Sequence, residues 1–105
     1  MTDPGRLRHR LVLEEPIETP DGAGGVARSY ATVATLWAAV TPVAARAEVS
    51  ADSLAASVTH RIVIRAGPEV TTRHRLREGT RIFHILALRE RGAGFLEINA
   101  EERRD

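Results

Sequence analysis

The sequence predicts an all-β fold, a small β-barrel or sandwich of about six strands with one short helical insertion. Apolar and polar residues alternate over Val58–Ala66, the period of two that is typical of a strand with one buried face. Clusters of glycine and proline divide the chain into short runs at hairpin spacing. The alanine-rich stretch from Ala44 to Ser57 breaks this pattern and favours a short helix.

The first elements are predicted as a long hairpin. Alternation begins at Leu7 and indicates a first strand that ends at Pro16. The glycine-rich stretch Pro20–Gly25 is interpreted as the hairpin tip, because no phosphate-binding glycine motif and no strand-to-helix context surround it. Two return strands are expected, over Val26–Tyr30 and Thr35–Thr41.

Trp37 is the only tryptophan, and we expect it to anchor the core, with an exposed interface anchor as the alternative. Leu36, Ala38 and Val40 share the opposite face of its strand. The residues expected in the core are Trp37, His60, Ile62, Ile64, Phe83 and Ile85.

The second half of the chain continues the β pattern. Gly67-Pro68 ends the strand over Val58–Ala66. A short polar strand over Arg73–Arg77 and a strand over Thr80–Leu88, apolar on both faces, follow. A glycine turn then leads into a last strand over Phe95–Ala100, and the charged tail 101–105 is expected to be frayed.

The 105 residues are enough for one domain, 1–105, with the insertion at 44–57. Hydrophobic residues make up 43%, but many are alanine and aromatics are only 4%. A thin core of this kind favours stabilisation by neighbouring subunits, so we expect an oligomer.

The charge and the cysteine content exclude several classes. The net charge is only +1, which gives no global attraction to nucleic acid or membranes. The chain contains no cysteine, so disulfides and thiolate metal sites are excluded. No secretory signal or spanning segment is found, and we expect a soluble protein made in the cytoplasm, with no membrane partner.

Catalytic motifs are missing from the sequence. The histidines form no metal-binding pair and the serines lie in no nucleophile turn, so we predict no enzyme, no metal and no cofactor. The carboxylates expected to be solvated surface charges are Glu14, Glu15, Glu48, Asp52, Glu101 and Glu102.

The arginines suggest a second function class. They cluster near residues 6–10, 61–65 and 73–81, and on a small barrel such clusters could form a stripe for single-stranded nucleic acid. That binding mode also needs exposed aromatic rings, and the few aromatics have the spacing of core positions. A small nucleic-acid-binding β-barrel therefore stays as the alternative.

Several short motifs, taken together in their order and spacing, carry a resemblance to a known family. They are the opening Gly5-Arg6-Leu7-Arg8-His9-Arg10, the Gly24-Gly25 loop, Trp37-Ala38 with Val40 and Pro42, Glu48, Thr59-His60-Arg61 with Arg65, and the final glycine-turned hairpin. The sequence resembles the phage head–tail joining proteins, also called head-closure or stopper proteins, of tailed phages and gene transfer agents. Tyr30 and Ala66-Gly67 depart from the common pattern of these relatives.

The resemblance implies a β-barrel subunit in a ring of roughly six or twelve copies. Such a ring lies in the neck of a virion or phage-like particle, between the portal–adaptor complex and the tail terminator or tail tube, and is assembled in the bacterial cytoplasm. DNA passes through its channel without specific binding. The expected subunit and partner contacts are Arg8, Arg10, Arg46, Glu48, Arg61 and Arg65.

In stopper proteins a loop or helix can close the channel, and the resemblance places this element at the insertion. We expect the insertion to be mobile in the free subunit and ordered after assembly, because it has little apolar surface. The candidate gating residues are Ala44, Arg46, Glu48, Asp52 and Leu54.

Overall fold

The structure, a computed structural model, describes residues 7–43 and 58–103. Its strands are β1 (His9–Pro20), β2 (Val26–Pro42), β3 (His60–Arg65), β4 (Arg75–Glu78), β5 (Arg81–Arg91) and β6 (Phe95–Arg103). All neighbouring strands are antiparallel, and the sheet closes in the order β1-β2-β3-β6-β5-β4. The predicted all-β fold is confirmed, whereas the predicted helical insertion lies outside the described residues.

The core fills the inside of this closed sheet. Ile62 and Ile64 lie there with Phe83 and Ile85, all of which are at most 4% exposed. The buried cluster comprises Leu11, Leu13, Ala38, Ile62, Ile64, Leu76, Phe83, Ile85, Ile98 and Ala100. Burying one large aliphatic or aromatic side chain contributes about 1.5–3 kcal/mol, and this cluster holds every strand against the others.

His60 is only partly buried, and its ring meets the Phe83 ring edge-on at a centroid distance of 5.2 Å. Trp37 is 56% exposed, so its predicted burial in the core is wrong. Its neighbour Ala38 is fully buried, and alternation along β2 therefore turns Trp37 outward.

Three predicted boundaries also need correction. Pro16 does not end β1, which continues to Pro20, because β4 pairs with β1 no further than Glu14 and a proline is tolerated on an edge strand. The two predicted return strands are one continuous β2. The tail is not frayed up to Arg103, where β6 ends.

A β-bulge lies where the hairpin leaves the barrel. Leu13 pairs with Ala34 but Glu14 pairs with Thr32, so Val33 is the extra residue in β2. The bulge changes which residues of β2 face inward. From Ala34 to Pro42 the even-numbered residues of β2 face the core. From Val26 to Thr32 the even-numbered residues face outward instead.

The hairpin tip follows the expected glycine-rich loop. The Asp21 side chain accepts hydrogen bonds from the backbone N–H groups of Ala23 (2.8 Å) and Gly25 (3.0 Å). Both bonds lower the pKa of the Asp21 carboxyl, and the bond from Ala23 has the larger effect. Gly22 and Gly24 take φ values of 82° and 85°, which a side chain would disfavour. In the described parts of the chain, no helix is long and apolar enough to cross a membrane.

Candidate partner interface

The β1–β2 hairpin extends beyond the closed part of the sheet. From Glu15↔Ala31 to Pro20↔Val26 its strands pair with each other, and within residues 7–43 and 58–103 no third strand pairs with them. A two-stranded ribbon is marginally stable in water by itself. We call this part, residues 15–31, the distal hairpin, and its length contributes to the elongated 50 × 34 × 23 Å shape of the protein.

Exposed apolar side chains are concentrated on the same two strands. In the described residues the large hydrophobic side chains that are clearly exposed are Ile17 (40%), Val26 (60%), Val33 (45%), Trp37 (56%) and Val43 (41%). Four of these lie on β1 or β2, and Val43 follows β2 directly. By the register, Trp37 lies on the outer face opposite Arg10, whereas Ile17 continues the face of Leu11 and Leu13, so the hairpin exposes apolar side chains on both faces. Exposed apolar side chains concentrated on one element are typical of a protein–protein interface.

Trp37 and Arg10 lie side by side on the outer face of the hairpin, where it is part of the barrel. The two residues are paired across β1 and β2, and the Arg10 guanidinium carbon lies 6.0 Å from the Trp37 ring centroid. An arginine beside an exposed tryptophan joins the two residue types most enriched at binding hot spots.

The other arginines predicted as contacts lie on different parts of the barrel. Arg8 is exposed next to Arg10 at the start of β1. Arg61 and Arg65 are exposed on β3, where Arg65 lies 5.7 Å from the Phe95 ring centroid. The structure therefore brings Arg10 together with Trp37, with Arg8 two residues before Arg10, and places Arg61 and Arg65 on a different strand. Arg46, Glu48 and the other candidate gating residues lie outside the described residues.

Glu14 forms a buried ion cluster that the sequence did not predict. Its carboxylate accepts a hydrogen bond from Arg75 Nε at 2.8 Å and one from Arg77 Nε at 3.0 Å, and the residue is only 6% exposed. The prediction that Glu14 is a solvated surface charge is wrong. The reason is β4, which lies beside β1 at this point and brings both arginines against the carboxylate.

The environment of Glu14 favours its charged form. Burial by itself would raise the pKa of the Glu14 carboxyl, but the hydrogen bonds and charges of Arg75 and Arg77 outweigh burial and lower the pKa. The Arg75 guanidinium also stacks on Tyr30, with 3.5 Å between its carbon and the ring centroid. The cluster thus connects the barrel to the base of the distal hairpin.

A second network of ion pairs and hydrogen bonds lies close to His60. Arg81 donates to Glu102 at 2.9 Å and to Glu78 at 3.4 Å, and Glu78 also contacts His9 Nδ1 at 2.8 Å. Burial lowers the pKa of His60; Glu102 opposes this shift and the charge of Arg81 adds to it. These histidines make structural contacts, and among the described residues no group of histidine and carboxylate side chains is arranged to hold a metal ion.

The chain matches a protein family over nearly its whole length. Residues 2–103 match the family described as phage head completion protein. No curated protein matches the chain.

Two solved structures are similar in sequence and in fold. One is a chain in the virion of a native gene transfer agent particle, with 34% identity, a TM-score of 0.68, and coverage of 93% of this chain and 96% of that one. The other is the solution structure of protein SF1141 from Shigella flexneri 2a, with 28% identity, a TM-score of 0.73 and 96% coverage of both chains.

Proposed function

Because this chain belongs to the phage head completion protein family, we propose that it is a ring-forming connector subunit between the head and the tail of a phage-like particle. The resemblance stated from the sequence is confirmed at the level of the family. Membership of this family makes the chain a structural component of a phage-type particle. The ring, the neck position, the DNA channel and the absence of enzymatic activity belong to the proposal.

The proposal is supported mainly by the apolar side chains that the β1–β2 hairpin exposes to water. A free subunit with Ile17, Val26, Val33 and Trp37 in water exposes the kind of surface that subunit contacts bury. In a closed ring each subunit offers one surface to the next and a second surface to the previous one. We assign the hairpin to one of these contacts.

The mass of the assembly tests this proposal. Native mass spectrometry of the purified protein, alone and mixed with the portal–adaptor and tail proteins encoded beside it, should detect a closed ring with a defined copy number. A protein that stays monomeric in every mixture would contradict the ring.

The gating role of residues 44–57 is part of the proposal and needs a separate test. We expect their amide hydrogens to exchange faster in the free subunit than in the assembled connector. Equal, strong protection from exchange in both states would mean that this segment is a static connection, and would contradict the gating role.

The alternative, a single-stranded nucleic-acid-binding module, has little support in the described residues. Phe83 and Phe95 are buried, and the Tyr30 ring is covered by Arg75. Trp37 is exposed, but one ring does not make the row of stacking platforms that such binding uses.

A further inference from the structure

An open cleft of about 490 Å³ lies between the distal hairpin and the barrel. Pro16, Glu18, Arg28 and Tyr30 line it from the hairpin side. Residues 72–75, with His84 and Arg103, line it from the barrel side. A ligand in this cleft would therefore touch both parts of the protein at once.

The cleft is a local concentration of positive charge. Three of its arginines have carboxylate partners: Arg28 pairs with Glu18 (3.4 Å), Arg103 with Glu101 (2.6 Å), and Arg75 shares Glu14 with Arg77. Arg73 forms no ion pair with any carboxylate in the described residues. These five arginines and three carboxylates leave two positive charges in excess, although the whole chain has a net charge of only +1.

The groups that face the cleft are held in place before any ligand binds. Arg75 is fixed by its hydrogen bond to Glu14 and by its stacking on Tyr30. His74 Nδ1 accepts a hydrogen bond from the backbone N–H of Thr71 at 2.9 Å, so the neutral ring carries its proton on Nε2 as a donor. Fixed donors lose little conformational entropy when an anion binds, which favours affinity.

The surroundings of the cleft favour a carboxylate over a nucleic acid. Pro16, Arg73 and His74 also line a neighbouring depression that contains Glu15 and Glu69. A phosphate backbone continuing from the cleft would meet these carboxylates and be repelled. A short acidic peptide segment can place its carboxylates on the arginines and avoid Glu15 and Glu69.

We propose that this cleft binds an acidic segment of a different protein. Another copy of the chain offers few suitable groups among its described residues, because Glu14, Glu18, Glu78, Glu97, Glu101 and Glu102 already pair with its own arginines or histidines. The segment contacts Arg73 and Arg75 and thereby holds the distal hairpin at a fixed angle to the barrel. None of the exposed apolar residues Ile17, Val26, Val33 and Trp37 lines the cleft, and the site does not depend on the connector role.

The experiment uses the full chain and two capped synthetic peptides, one with alternating Glu and Gly and one with Gln in place of Glu. Calorimetry at low salt should detect binding of the Glu peptide but not of the Gln peptide. Arg73→Gln should weaken that binding by about three- to tenfold. Arg89→Gln is the matched control, because Arg89 is an equally exposed arginine at the far end of β5, and it should leave affinity within about twofold of wild type.

Hydrogen exchange is a second measurement, because nonspecific attraction between charges would not slow amide exchange in the distal hairpin. The Glu peptide should slow exchange in the distal hairpin of the wild type but not of the Arg73→Gln variant. Three outcomes would overturn the proposal: no binding of the Glu peptide, equal weakening by both arginine substitutions, or tighter, Arg73-dependent binding of single-stranded DNA. A peptide that raises the mass by joining two copies of the chain would also contradict it.

Discussion

At the scale of single residues, Glu14 shows how an ordinary surface carboxylate becomes structural. Arg75 and Arg77 flank it on β4, and their side chains remain partly exposed, at 19% and 37%. Water can therefore reach the arginines but hardly the carboxylate. Removing the carboxylate charge leaves two adjacent guanidinium groups without their shared partner, which is more costly than losing an exposed ion pair.

We predict that Glu14→Gln lowers the free energy of unfolding at neutral pH by about 2 kcal/mol. Because the folded state lowers the pKa of Glu14, this contribution is complete above the ordinary value of 4.5 and is lost as the pH falls through the lower pKa of the folded protein. The stability difference between wild type and variant, measured by urea unfolding, should therefore shrink below pH 4.5.

Glu15→Gln is the control for this prediction, since Glu15 is the exposed neighbour. It should change stability by no more than about 0.5 kcal/mol. If Glu14→Gln and Glu15→Gln are equally stable at neutral pH, Glu14 has no special structural role.

Trp37 gives the second prediction at this scale. Because its side chain is more than half exposed, Trp37→Ala should remain soluble and folded and lose about 1 kcal/mol or less, largely the contact with Arg10. Assembly with partners should fail or weaken strongly. Leu36→Ala is the matched control: Leu36 packs against the core, so this variant should lose about 1–3 kcal/mol of stability while its partner surface stays intact. Insoluble Trp37→Ala protein would mean that the tryptophan is a core residue.

At the scale of elements, the barrel and the distal hairpin are stabilised differently. The barrel strands share one buried cluster, whereas beyond Glu14 the hairpin is held by its own ladder, the Asp21 hydrogen bonds at its tip, the contact of Tyr30 with Arg75, and the exposed pair Glu18–Arg28. An exposed ion pair contributes about 0–1 kcal/mol. The hairpin is therefore the part whose stability should gain most from a neighbouring subunit.

Shortening the hairpin separates folding from assembly. We predict that joining Pro16 to Tyr30, which face each other across the ladder, through an Asn-Gly turn yields a folded monomer with a cooperative thermal transition. The variant should no longer form the ring. A useful control is the double substitution Glu18→Gln and Arg28→Gln, which keeps the hairpin length and should still assemble. Normal assembly of the shortened chain would show that the distal hairpin is not part of the subunit interface.

The sequence predicted the elements better than it predicted their contacts. Alternation identified Ile62 and Ile64 as buried and the shared face of Leu36, Ala38 and Val40, because these depend only on neighbouring residues, but it put Val63 on the exposed face and Val63 is buried. The pairing of Glu14 with Arg75 spans 61 positions and depends on the register between β1 and β4, which no local pattern contains. For Trp37, alternation placed the side chain opposite Ala38, and the general tendency of a lone tryptophan to be buried was given too much weight.

At the scale of the whole molecule, charge is distributed as local pairs. Of the arginines in residues 7–43 and 58–103, Arg28, Arg75, Arg77, Arg81, Arg91 and Arg103 each lie within 4 Å of a carboxylate, so about half of the positive charge is neutralised locally. A DNA molecule passing such a surface meets no continuous positive track. This arrangement is compatible with the proposed channel, in which DNA moves without being held.

We therefore predict that single-stranded DNA binds only weakly and that binding is lost at moderate salt. Fluorescence anisotropy with a labelled oligonucleotide over a salt series is the measurement. Sub-micromolar, sequence-independent affinity at physiological salt would instead support the nucleic-acid-binding module.

The bulge at Val33 has a consequence for how this chain can change. Val33 is an extra residue that the sheet has absorbed: deleting it would remove the bulge, and Thr32 and Tyr30 would stay opposite Glu14 and Pro16 with their side chains on the same faces as before. The face of Tyr30 that contacts Arg75 would be unchanged. Substitutions of Val33 by another residue should change the free energy of unfolding little, since its side chain is exposed. What Val33 adds is a local bend and a stronger twist, so the direction in which the distal hairpin leaves the barrel depends on the presence of this one residue.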